Sequence, residues 1–133
     1  MRRSLIGLVV SLSAACMDGV TGASTVTGAY TLRTVNGSPL PYTLSTSGTV
    51  TTEIVDGVIT LYQGGTYAET TRLRVTTNGQ SAIETKNGSG SFGLQGTSIT
   101  LRSSDGATQR LANIKDAETM TFVEAGMTRV FTK

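Results

Sequence analysis

The sequence predicts an all-β fold, most simply a small antiparallel up-and-down β-barrel. Two observations support this prediction. Thr, Gly and Ser are abundant and charged residues make up only 15% of the chain; Thr favours strands, Gly favours turns, and neither favours helices. Short runs of alternating apolar and polar residues are separated by Gly-containing turn dipeptides, and no window shows convincing helical periodicity.

Turn dipeptides divide the chain into short strands. Hairpin signals occur at Asp56-Gly57, Gly64-Gly65, Asn78-Gly79, Asn87-Gly88 and Asp105-Gly106. We expect strands at residues 28–35, 49–55, 58–62, 66–77, 81–86, 91–95, 98–103, 108–114, 119–123 and 128–131. Both prolines, Pro39 and Pro41, fall in the first long connection, where a strand would not easily continue.

Within the strands, alternation assigns side chains to two faces. Tyr30 and Leu32 point one way, whereas Thr31 and Arg33 point the other way. The same apolar alternation recurs later at Leu73 and Val75, at Ile99 and Leu101, and at Met120 and Phe122. One apolar and one solvated face indicate an antiparallel sheet. Because so many short strands must protect their edges, we expect closure into a barrel, with a β-sandwich as the alternative.

The first sixteen residues form a distinct segment. Arg2 and Arg3 precede apolar residues 5–12, a run with the length of a secretory apolar region. It is too short to span a membrane as a helix, which requires about 20 residues. The run leads into Leu12-Ser13-Ala14-Ala15-Cys16. This order resembles the signal peptide and lipobox of bacterial lipoproteins.

The resemblance implies that a diacylglycerol is attached to Cys16 and that the leader is cut before it. It divides the chain into a signal peptide (residues 1–15), a lipidated cysteine with a flexible tether (16–28) and the barrel domain (29–133). Met17, rather than Asp, follows the cysteine, which in that family favours the outer membrane, facing the periplasm. Two alternatives stay open: later cleavage after Ala23, or a buried free thiol at Cys16.

Composition excludes several classes of function. Of the 11 Lys and Arg residues, two belong to the leader, so nine basic and nine acidic residues remain. A neutral domain offers no basic surface for nucleic acid. The chain has no His and one Cys, which removes Ser-His and Cys-His catalysis and the usual zinc ligands. We therefore predict no catalytic residue, no metal site and no cofactor.

The domain also resembles small lipocalin-like bacterial lipoproteins. The residues behind this resemblance are Ala29-Tyr30-Thr31-Leu32, Asn36-Gly37, Leu40-Pro41 and the final Phe131-Thr132-Lys133, together with the repeated hairpins. It implies a barrel that is filled by side chains or holds one small ligand. Residues that could line such a barrel, or equally form a plain core, are Tyr30, Leu32, Ile54, Tyr62, Phe92, Leu101 and Phe122.

Three functions follow from these observations. The first is a lipid-anchored, non-enzymatic barrel with a structural or protein-interaction role at the membrane. The second is a carrier for a small apolar or anionic ligand, with candidate contacts Tyr30, Tyr62, Tyr67, Arg72 and Arg74. The two arginines share one strand face and could bind an anion, although an outer face with cross-strand partners such as Glu84 is the simpler interpretation.

The third and least favoured function is a hydrolase. It would require a pair of carboxylates such as glycosidases use, and the candidates are Glu53, Glu69, Glu84 and Glu124. On strands these residues are expected at solvated positions.

Overall fold

The computed structural model describes residues 23–133. The predicted signal peptide, Cys16 and the tether up to residue 22 lie outside the described residues. No helix in the described part of the chain is long and apolar enough to cross a membrane. The elements are α1 (Ala23–Val26), β1 (Gly28–Val35), β2 (Ser38–Pro39), β3 (Tyr42–Ser47), β4 (Val50–Leu61), β5 (Thr66–Thr77), β6 (Gln80–Gln95), β7 (Ser98–Ser103), β8 (Gln109–Lys115), β9 (Thr119–Glu124) and β10 (Met127–Thr132).

Among the described residues, eight strands close into an antiparallel barrel in the order β1-β10-β9-β8-β7-β6-β5-β4. Closure comes from β1, whose residues 28–31 pair with residues 58–61 of β4. The other neighbouring strands of the barrel follow one another in the chain and form hairpins. The exception is the pair of β1 and β10, the first and last strands. The prediction of an up-and-down barrel is confirmed, and the alternative of a β-sandwich is not the fold that forms.

Three barrel strands extend beyond the barrel on one side. Residues 50–54 of β4 pair with β3 instead of β1, and residues 80–88 of β6 pair with β5 alone among the described strands. We call β3 and these parts of β4 and β6, together with residues 71–77 of β5 between them, the projecting sheet. Strand β3 was not predicted, because its short Ser- and Thr-rich run has no clear alternation.

Two of the predicted turns do not form in the described residues, because β4 and β6 each continue as one strand through the predicted turn. Asp56-Gly57 lies inside β4, just after a bulge at Val55. Gly57 is buried, and a Cβ there would lie 3.3 Å from the Cβ of Leu32, so this glycine serves close packing. Asn87-Gly88 lies inside β6, and Gly88 is directly opposite Glu69.

The inward-facing side chains form one apolar core. Phe122 and Phe131 meet edge to face, with 5.7 Å between ring centroids and 76° between ring planes, an arrangement that aromatic pairs prefer. Each fully buried side chain of this size contributes roughly 1.5–3 kcal/mol relative to an exposed one. The side chains that are at least 98% buried are Val26, Tyr30, Val35, Ile54, Ile59, Leu61, Ile99, Leu101, Met120, Phe122 and Phe131.

The folded domain begins before residue 28, the expected end of the tether. Val26 is completely buried, and its carbonyl accepts a hydrogen bond of 2.7 Å from the hydroxyl of Tyr30. The short helix α1 therefore closes the end of the barrel at which β1 begins. The β4–β5 turn lies at this same end, because Gly28 pairs with Leu61.

Candidate functional site

The interior near α1 is filled, and Tyr30 is its central group. The Tyr30 hydroxyl lies 2.7 Å from the carbonyl oxygen of Val26 and 2.9 Å from that of Ala117, which share its one proton. Burial, together with the charge of Glu118, raises the pKa of Tyr30 to about 12. The ammonium of Lys133 lies 5.2 Å from the ring centroid. The predicted ligand contact Tyr30 is thus held by the backbone at the closed end.

Most of the residues predicted to line the barrel belong to this core. Leu32, Ile54, Leu101 and Phe122 are buried, and Phe92 is partly buried against them. The exception, Tyr62, follows β4 and is 50% exposed. Core packing, the second of the two interpretations left open by the sequence, therefore accounts for all of these residues except Tyr62.

The other end of the interior contains a charged cluster of Arg110, Glu69 and Glu124, which we call the ion triad. Arg110 alternates with buried Ala112 and therefore points inward. Its Nε lies 2.5 Å from Oε1 of Glu124, a second nitrogen lies 3.2 Å from Oε2, and its third nitrogen contacts Glu69. The exposed fractions of the side chains are 15% for Arg110, 14% for Glu69 and 28% for Glu124.

The ion triad holds its arginine in the charged form. Burial opposes the charge of Arg110, but the hydrogen bond with Glu124 and the charges of Glu69 and Glu124 outweigh it, so the pKa of Arg110 is raised. The guanidinium carbon also lies 4.6 Å from the ring centroid of Phe122, within the range of a cation–π contact. One cation thus joins three strands, β5, β8 and β9, across the barrel.

The prediction of solvated positions is wrong for Glu69 and Glu124, whose side chains are 14% and 28% exposed. Glu69 lies two residues after inward-facing Tyr67, and Glu124 lies two residues after inward-facing Phe122, so both share the inner face. Arg110 was not singled out, although the alternation of Arg110, Ala112 and Ile114 already placed it on the inner face. Alternation of apolar residues alone does not identify charged residues that lie on the same inner face.

The two predicted anion-binding arginines lie on the outer face of the sheet. Arg72 Nε donates to Asp56 at 2.7 Å, and Arg74 Nε donates to Glu53 at 2.7 Å. These hydrogen bonds raise the pKa of both arginines, and the bond from Arg74 lowers the pKa of Glu53. Each guanidinium therefore already has a carboxylate partner on β4. Anion binding by this pair stays a prediction.

The expected partner Glu84 is on the opposite face. It lies directly across from inward-facing Leu73, and its carboxylate pairs with Lys86 of the same strand at 3.3 Å. The suggestion that Glu84 pairs with the two arginines is therefore wrong.

The five predicted ligand contacts do not converge on one place. Tyr30 is at the closed end, Tyr62 is in a turn, and Arg72 and Arg74 are outside. Tyr67 is in the interior, 5% exposed, and burial together with the charge of Glu69 raises its pKa.

A polar groove of about 510 Å³ lies beside Tyr67. It runs between β5, β6 and the loop after β7, and opens to solvent. Asp105 in this loop accepts hydrogen bonds from the Ser103 hydroxyl at 2.5 Å and from the Ala107 N–H at 2.9 Å, and both lower its pKa. Its polar lining residues include Glu69, Thr70, Asn87, Ser89, Ser103, Ser104 and Asp105. With its carboxylates, the groove suits a polar or cationic ligand better than an anion.

The projecting sheet leaves two strand edges unpaired within the described part of the chain, the outer edge of β3 and the longer edge of β6. Ser104 N–H donates to the Ser89 carbonyl at 2.9 Å from the β7 side, and Phe92 N–H donates to Gly65 at 2.7 Å on the β5 side. The backbone N–H and C=O groups of successive residues in a strand alternate in direction. On β6, the backbone groups of the odd-numbered residues therefore point away from β5. Over residues 81–87 these backbone groups meet no strand among residues 23–133, and we call this segment the open β6 edge.

No protein-family model matches the chain, and a search of curated proteins found no similar sequence.

Proposed function

We propose that this protein is a lipid-anchored envelope protein whose barrel is a non-enzymatic scaffold for structural or protein contacts. The observation that supports this most directly is the filled interior, in which Tyr30, Phe122 and Phe131 are at least 98% buried. An eight-stranded barrel is just wide enough for side chains to fill it. The open β6 edge adds a surface suited to contact with another chain.

The anchor is proposed at Cys16, at the outer membrane and facing the periplasm. Its support is the order of charged, apolar and small residues before the cysteine. One acyl chain binds a membrane marginally, because each buried CH₂ contributes roughly 0.8 kcal/mol, whereas two or three chains hold firmly.

Metabolic labelling tests the anchor. Cells given a clickable palmitate analogue should label the wild-type protein and leave Cys16→Ala unlabelled, while Ser13→Ala, which changes only the leader, keeps its label. A label that persists in Cys16→Ala would contradict the anchor.

A binding assay tests the scaffold role of the barrel. A fluorescent fatty acid titrated into the folded protein should show no saturable binding, because the apolar interior is already occupied. Saturable one-to-one binding that disappears on enlarging an interior residue, as in Ala112→Leu, would contradict a filled scaffold and favour an apolar carrier.

A carrier is the second candidate, favoured by the polar groove beside Tyr67. Its carboxylates, amide and hydroxyls would select a polar or cationic molecule rather than the apolar or anionic ligand expected from the sequence. Asp105→Asn should weaken such binding severalfold, and Asp56→Asn, on the outer face, should not. Equal affinity in the wild type and Asp105→Asn would exclude this groove.

A further inference from the structure

The open β6 edge is complementary to itself. We propose that two copies of this chain pair through this edge as antiparallel strands, related by a two-fold axis at Thr85. This inference rests on the proposed contact function and names its partner as a second copy. It does not depend on the lipid at Cys16.

The backbone fixes which registers are possible. A symmetric antiparallel pair has one residue opposite itself, and that residue occupies either a hydrogen-bonded or a non-hydrogen-bonded position. On β6 the outward backbone groups belong to the odd-numbered residues, so an odd-numbered centre is hydrogen-bonded and an even-numbered centre is not. With a two-fold axis at Thr85, the backbone N–H and C=O of Thr85 bond those of Thr85 of the partner subunit. Ile83 bonds Asn87 of the partner subunit in the same way, and Asn87 bonds Ile83 of the partner subunit. Six backbone groups on each copy then find partners.

The boundaries of the edge limit the axis to its middle. On one side the edge ends at the Asn78-Gly79 turn, where both residues have positive φ. On the other side it ends at Ser89, whose carbonyl already accepts the N–H of Ser104. An axis at Thr85 lies one residue from the midpoint of residues 81–87 and pairs residues 83, 85 and 87 within the open edge.

Charge selects the axis at Thr85. Glu84 and Lys86 lie on the same face, with side chains 52% and 66% exposed, and form an ion pair with each other at 3.3 Å. With the axis at Thr85, Glu84 is opposite Lys86 of the partner subunit, and Lys86 is opposite Glu84 of the partner subunit. These are non-hydrogen-bonded positions, where side chains come closest.

Neighbouring registers lose this match. An axis at Glu84 would form more backbone hydrogen bonds, but it would place the Glu84 carboxylates of the two copies opposite each other, and an axis at Lys86 would do the same with two ammonium groups. An axis at Ile83 would place Glu84 opposite Ala82 and Lys86 opposite Gln80. An axis at Asn87 would place Lys86 opposite Gly88, and would require pairing beyond Ser89, where β7 already lies. With the axis at Thr85, the remaining pair on this face is Ala82 with Gly88, which are small enough not to obstruct the approach.

Disulfide trapping in intact cells tests the register. In a hydrogen-bonded antiparallel pair the Cα atoms are about 5.5 Å apart, within disulfide range. The full-length Thr85→Cys variant should therefore form a disulfide-linked dimer on mild oxidation. Two controls should form no disulfide-linked dimer. The wild type reports any contribution of Cys16, and Thr46→Cys places a thiol on the edge of β3.

Charge exchange tests the specificity of the pairing. On the Thr85→Cys background, Glu84→Lys and Lys86→Glu should each lower the dimer yield at least severalfold, because like charges then face each other. The double exchange of both residues should restore it, which a merely structural defect would not do. Lys115→Glu, a matched charge reversal on β8, should leave the yield unchanged.

Each outcome decides the proposal. No dimer from a folded Thr85→Cys protein, or a yield indifferent to both single reversals, would overturn it. A disulfide between Thr85→Cys and a different protein would also overturn it, while leaving the contact function intact. If Thr85→Cys links to no protein at all, the β6 edge also loses its role in the proposed function. Loss of palmitate labelling with the dimer retained would remove the anchor alone.

Discussion

The guanidinium of Arg110 lies against the ring of Phe122, at 4.6 Å from the ring centroid, and at the same time binds two carboxylates on other strands. Removing one partner of a buried ion pair is costly because it leaves charge without compensation. We expect Arg110→Ala to lower the free energy of unfolding by about 3 kcal/mol, since Glu69 and Glu124 are then left unpaired.

Urea denaturation measures this effect. The matched control is Arg72→Ala, whose ion pair with Asp56 is on the outer face with 54% of the arginine side chain exposed; such pairs contribute little. Arg110→Lys should fall between the wild type and Arg110→Ala, because a lysine cannot make the two parallel bonds to Glu124. Equal losses for Arg110→Ala and Arg72→Ala would refute a structural role for the ion triad.

Gly90 is required by the approach of β7. A Cβ at Gly90 would overlap the backbone carbonyl of Arg102, whereas a Cβ at Gly93 on the same strand would meet nothing within 4 Å. We expect Gly90→Ala to lower the melting temperature substantially, with a loss on the order of 3 kcal/mol from forced displacement of the backbone. Gly93→Ala should leave the melting temperature nearly unchanged. The prediction fails if the two variants melt together.

The β9–β10 turn has an unfavourable residue. Ala125 has φ of 49°, followed by Gly126 at 74°, whereas the β5–β6 turn has Asn78 at 51° and Gly79 at 79°. Both turns need positive φ at two positions, which Asn-Gly supplies better than Ala-Gly. Ala125→Asn should therefore stabilise the protein by roughly 0.5–1 kcal/mol, and Asn78→Ala should destabilise it. Calorimetry should show a higher melting temperature for Ala125→Asn and a lower one for Asn78→Ala. Shifts in the same direction would contradict the prediction.

Tyr30 gives the stability a dependence on alkaline pH. Its pKa is raised from 10.0 to about 12 in the folded protein, so the folded state retains a proton that the unfolded state loses. The contribution is complete below pH 10 and is lost as pH rises towards 12. The stability advantage of the wild type over Tyr30→Phe should therefore shrink across this interval in urea titrations. The other tyrosines are common to both proteins and cancel, so a constant difference would contradict the assignment.

Alternation predicted the barrel because the strands are antiparallel and their inner face is apolar. Ile99 and Leu101, or Met120 and Phe122, are buried as their spacing requires, and Asn78-Gly79 forms the hairpin its sequence favours. These features depend on neighbouring residues alone.

What the sequence did not reveal depends on contacts between distant residues. Gly57 has the dipeptide of a turn, yet it lies within a strand because Leu32 packs against it. Glu69 resembles a surface residue until Arg110, 41 positions later, is brought beside it. Neither the edge of β6 nor the axis at Thr85 could be identified before it was known that β7 stops short of residues 81–87.

The unbroken course of β5 gives the molecule a fixed reach. Its 12 residues run from the barrel end closed by α1 to the tip of the projecting sheet, a length of roughly 40 Å at about 3.3 Å per residue. Because β4 accompanies it over the same distance, the tip cannot swing like a loop. A molecule bound to the projecting sheet is therefore held at a fixed distance from the place where the chain enters the barrel. A force applied at the tip is transmitted along these strands into the core.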